Sequence, residues 1–153
     1  MAEMKTLIVT ACAIAFSLGA LGALPAAADS VRATMDATGT RATFTGLARV
    51  TCFDDGNGPA AMLVARIRDN SPAVHGLMVS VQLVKGSAAL SISDEISGDD
   101  SYSDYIALPG GSGEYIMMVD KTAAGARTFD LEWHCYTATS VHTGTDVTVQ
   151  QFQ

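Results

Sequence analysis

Beyond residue 28 the apolar positions alternate with polar ones and helical spacing is missing. In 128–136, Phe129, Leu131, Trp133 and Cys135 share one parity, while Asp130, Glu132, His134 and Tyr136 share the other. A period of two places one set on the buried face of a strand and the other on its outer face. Leu77, Val79, Val81 and Leu83 repeat the pattern, as do Leu63, Ala65 and Ile67. Further strands are predicted over 31–36, 41–53, 88–93, 102–108, 114–119 and 146–152, with a bulge at Gly46.

Turn chemistry separates these runs at 54–59, 69–72, 85–87, 109–113 and 142–145, all rich in Gly, Pro, Asp, Asn, Ser or Thr. The segment 122–126 has room for one helical turn, and no longer amphipathic helix is indicated. Seven to nine short strands at regular spacing predict an all-β domain over 29–153. Its expected architecture is an antiparallel β-sandwich of Ig-like or jelly-roll-like topology.

Residues 1–28 follow a different rule. Lys5 precedes a stretch, 6–24, with no charged residue, and Pro25 leads to Ala26, Ala27 and Ala28. Small residues at the third and first positions before a cut suit signal peptidase, so a helical leader cleaved after Ala28 is expected. The competing reading is a retained membrane anchor, because 19 apolar residues are nearly enough to cross a bilayer. With the leader removed, the remaining chain has no second apolar run of that length and is expected outside the cytoplasm, secreted or periplasmic.

The cysteine count changes with the leader. Three cysteines become two when Cys12 leaves, and an even pair in an exported chain reads as a disulfide between Cys52 and Cys135. Cys135 shares the inward parity with Trp133, and Cys52 shares one with Val50, so the bridge is expected to link two sheets through the core. In outline this resembles the immunoglobulin-type arrangement, although Trp133 stands where a Tyr would be usual. The phrase DYIALPGGSGEYIMMVDK, 104–121, looks like part of the bacterial pre-peptidase C-terminal domain, which implies a small secreted β-sandwich and nothing about activity.

The net charge of −7 survives leader removal, because Glu3 and Lys5 leave together. An acidic balance argues against sequence-independent nucleic-acid binding. The acids concentrate at Asp94, Glu95, Asp99, Asp100 and Asp104, with a second group in the 54–57 loop. Ca²⁺ takes six to eight oxygen ligands, and a Gly-containing acidic loop is one way to supply them. The plainer reading is a solvated loop, since the EF-hand spacing is missing.

Three histidines, His75, His134 and His142, suggest a copper or zinc alternative, with Met78, Met117 and Met118 as soft candidates. His134 and His142 are close enough in sequence to meet, but a blue-copper site would need a free Cys thiolate, and Cys135 is committed to Cys52. Tyr102 and Tyr105 lie beside the acidic stretch and would suit recognition of a protein or carbohydrate. No nucleophile motif is present, which leaves a small secreted hydrolase as a third alternative. The leading expectation is a non-catalytic binding module using 94–105 together with the 54–57 loop.

Overall fold

The computed structural model describes residues 29–153; the leader expected at 1–28 lies outside the described residues. Nine strands follow in chain order: β1 (Asp29–Met35), β2 (Thr45–Phe53), β3 (Met62–Asp69), β4 (Val79–Lys85), β5 (Ala88–Asp94), β6 (Ile106–Pro109), β7 (Gly113–Lys121), β8 (Arg127–Tyr136) and β9 (His142–Phe152). Among the described residues no helix occurs, and 122–126 forms bends where one helical turn was expected. None is therefore long and apolar enough to cross a membrane.

Every pairing is antiparallel. The hydrogen-bonded order is β5-β4-β7-β2-β9-β8-β3-β6, with β1 paired to β8 outside that path. This differs from the separate layers of a simple sandwich. One continuous sheet folds over on itself and nearly closes, barrel-like. The physical reason is β9, which pairs β8 only through Tyr136 with His142 and Cys135 with Thr143, then crosses to pair β2 along most of its length.

The expected Cys52–Cys135 disulfide is present, with 5.6 Å between Cα atoms. It joins β2 to β8, the two neighbours of β9, and so staples the corner where the sheet folds over. Cys52 and Cys135 are both buried, beside inward-facing Val50, Leu63, Trp133 and Leu131. The inward set Phe129, Leu131, Trp133 and Cys135 is buried as the parity predicts, while Asp130 and His134 of the outward set are buried too.

Two local expectations shift. Residues 142–145 begin β9, and the turn lies at 137–141, where Ser140 and Val141 donate N–H bonds to the Thr137 carbonyl and hydroxyl. Thr143 is wholly buried, with its hydroxyl within 2.7 Å of the Gly58 carbonyl and 3.0 Å of the Phe53 carbonyl, so this stretch is held in the corner. The predicted irregularity near Gly46 occurs as a register shift between Leu47 and Ala48. A Cβ at Gly46 would come within 2.6 Å of Val119 Cγ2, so the close approach of β2, β7 and Phe152 requires glycine there.

Candidate functional site

The functional geometry originates where β9 leaves β8. Tyr136 and Cys135 give one edge of β8 to His142 and Thr143; from Trp133 onward the same edge pairs β1, beginning with Asp29. The Cys135 N–H is taken by the Thr145 hydroxyl at 3.2 Å, which satisfies β8 at the point of divergence. From this apex β1 stays with one layer and β9 goes to the other. A wedge opens between them.

The wedge is an apolar slot of about 590 Å³. Trp133, Leu131 and Phe129 form one wall from β8, Val31 and Ala33 belong to β1, and Val147, Val149 and Phe152 come from β9. Val31 shares the inward parity of Met35, which is fully buried, yet Val31 is 41% exposed because none of the described residues covers it. Trp133 is 5% exposed, and its indole Nε1 is buried without a hydrogen-bond partner among the described residues. A buried indole N–H normally has one.

At the apex, an Asp29 carboxylate oxygen and one ring nitrogen each from His134 and His142 all lie within 4.8 Å of one another. The imidazoles meet edge to face with ring centroids 5.2 Å apart, and Tyr136 packs beside both. His134, expected on the exposed parity, is buried, because Glu132, Tyr136 and His142 cover the outer face there. Glu132 Oε1 accepts a hydrogen bond from His134 Nε2 at 3.2 Å. His134 Nδ1 and His142 Nε2 are buried and have no hydrogen-bond partner among the described residues.

The outer face of β3 and β8 carries a ladder of charges. Asp130 accepts from Arg32 and Arg68, and Glu132 accepts from Arg66 and from the Tyr105 hydroxyl. Arg32, then Arg68, hold the Asp130 carboxyl well below the usual carboxylate range. Burial, followed by the bond to Glu132, pushes the Tyr105 phenol up to about 12. For Glu132, burial works upward, but the bonds from Tyr105, Arg66 and His134 prevail and its carboxyl is lowered.

Tyr102 and Tyr105, anticipated as a recognition surface, hold Arg66 between their rings at 4.3 and 4.4 Å. Tyr102 precedes β6 instead of opening it, and its ring also covers Arg68 at 4.6 Å. Tyr115 is a core residue whose hydroxyl donates to the Gly111 carbonyl at 2.8 Å.

The acidic stretch has several local uses. Asp94 is buried, with one oxygen taken by the Asp69 N–H at 2.6 Å and the other by the Ile96 N–H at 3.1 Å. Asp99 accepts the Ser101 N–H, and the Asp100 carbonyl accepts from Arg68. Glu95 and Asp104 are exposed. Asp54 accepts the Gly56 and Gly58 amides, and Asp55 the Asn57 amide. The two acidic segments do not share a surface: 54–57 precedes the start of the eight-residue strand β3, while 94–104 packs against its end at Ile67, Arg68 and Asp69. His75 is exposed in the loop before β4, and Met117 is buried in the core.

Reasoning from sequence missed Asp29 and two buried ion pairs. Lys121 Nζ donates to Asp36 at 2.9 Å and to the carbonyls of Arg41 and Ala123, while Arg127 meets Asp69 at 3.3 Å. Burial alone would raise the Asp36 carboxyl, but Lys121 and the amides of Arg41, Thr40 and Gly125 outweigh it and hold it well below its usual value. A signal existed, since Lys121, Asp69 and Arg127 all continue the apolar parity of their strands. No family model, curated protein or solved structure matches this chain.

Proposed function

We propose that the chain is an exported, non-catalytic binding protein that takes a small apolar molecule into the slot between β1 and β9. The observation that carries this reading is the slot itself, about 590 Å³ and walled by aliphatic and aromatic side chains. Small-molecule sites commonly have this size and apolar character, with a few polar groups that orient the ligand. Export accords with the leader pattern in 1–28 and with a disulfide, which persists in oxidising compartments. In this reading the fold is an Ig-like sandwich in outline, with β9 serving both layers.

Val149 forms part of the wall and is 67% exposed, so Val149→Arg introduces a charge into the slot without disturbing the core. Trp133 is the sole tryptophan and reports occupancy directly. A neutral apolar fluorophore such as N-phenyl-1-naphthylamine should shift Trp133 emission and accept energy from it, and Val149→Arg should weaken that binding at least about tenfold. Unchanged Trp133 emission at saturating fluorophore, or equal affinity for the two proteins, refutes the assignment.

A further inference from the structure

We infer that the apex is a divalent transition-metal centre built from His134, His142 and Asp29, with Asp29 contributing both its carboxylate and the α-amine that leader cleavage would expose. The case begins with two imidazole nitrogens. Among the described residues, His134 Nδ1 and His142 Nε2 are each buried without a partner. An unmet buried nitrogen is unfavourable unless it serves a purpose, and two in one cluster are more unusual than one. The Asp29 carboxylate completes a group whose ligand atoms lie within 4.8 Å of one another. Metal bonds of about 2.0–2.2 Å hold two donors at most about 4.4 Å apart, so any pair wider than that closes by a small side-chain adjustment on binding.

The surroundings suit coordination. Glu132 accepts a hydrogen bond from His134 Nε2–H, which leaves Nδ1 with its lone pair free for a metal, and Arg66 and Tyr105 fix Glu132 in turn. A carboxylate behind a ligating imidazole sets its tautomer and orientation. Asp29 is brought to this place by its pairing with Trp133, next to His134 on β8. Cleavage after Ala28, the expectation from the sequence, would make Asp29 the first residue. Its α-amine and side-chain carboxylate can then close a six-membered chelate on one ion, the amine releasing a proton as it binds. Three nitrogens and one oxygen form a ligand set that favours Cu(II), which leads Zn²⁺ and Ni²⁺ in affinity at such sites.

This centre borders the apolar slot, with which it shares Asp29, and is tested without any apolar ligand. The full precursor is expressed with export, and the purified product is sequenced from its N-terminus and titrated with Cu(II). The expected result is a chain starting at Asp29 that binds one equivalent, with nitrogen couplings from three donors in the electron paramagnetic resonance spectrum. His134→Ala and His142→Gln should each weaken binding at least about tenfold, comparable to or beyond the effect of losing an outer partner. An extra alanine placed ahead of Asp29 should do the same and remove one nitrogen coupling. His142 is only half-buried, so its variant keeps the test available should His134→Ala fail to fold. A product beginning elsewhere, wild-type affinity in a folded histidine variant, or an unchanged spectrum in the extended chain overturns the inference.

Discussion

Replacing Cys52 and Cys135 together by alanine removes the one covalent link across the folded-over corner of the sheet. The two residues are 83 positions apart, so in the unfolded chain the bridge closes a long loop. The chain-entropy relation assigns about 4–5 kcal/mol to a loop of that length. Domains of this size are stable by about 5–15 kcal/mol in total, so the loss would be a large fraction of the whole. Little of it should come from packing, since alanine keeps the buried Cβ and loses only sulfur. Urea unfolding followed by Trp133 fluorescence measures the change. The double variant should lose about 4–5 kcal/mol and unfold with a steeper dependence on urea, because its denatured ensemble is more expanded. A loss below about 1 kcal/mol at unchanged slope would refute the idea that the bridge acts by restraining the unfolded chain. Because the bridge clamps β2 and β8 on either side of β9, the same variant should also bind Cu(II) more weakly.

Acid should destabilise the protein through Asp36 and Asp130, whose carboxyls are lowered from an ordinary value of 3.8. A lowered carboxyl stabilises the fold above its unfolded value and loses that contribution as pH falls through its folded value. The urea midpoint should therefore decline progressively below about pH 4, and a flat midpoint down to about pH 2 would contradict the bonding described for these groups. Gly46→Ala drives a methyl against Val119 and Phe152 and should cost about 1–3 kcal/mol, read from the urea midpoint; wild-type stability would show that β2 can move away at no cost. Asp69→Asn leaves Arg127, 1% exposed, without its charge partner and should cost about 3–5 kcal/mol by the same measurement, with a loss under about 1 kcal/mol counting against a buried ion pair.

Strand content was legible because alternation is a property of neighbouring residues. Phe129, Leu131, Trp133 and Cys135 declare an inward face whatever partner β8 finds, and each predicted strand run overlaps a strand of the fold. The disulfide was legible for a similar reason, once the leader had been set aside and two cysteines remained. Partner choice is different. Asp29 meets His134 because β1 takes over the edge of β8 where β9 departs, and local pattern carries no record of that exchange. The same holds for Arg32, whose partner Asp130 is 98 residues away, and for Tyr102 and Tyr105, which stack on Arg66. Periodicity specifies which face of a strand points to the core; register and strand order specify what lies across from it and what covers the other face. Those depend on contacts between distant segments, so the slot and the histidine apex exist only once the sheet has folded over.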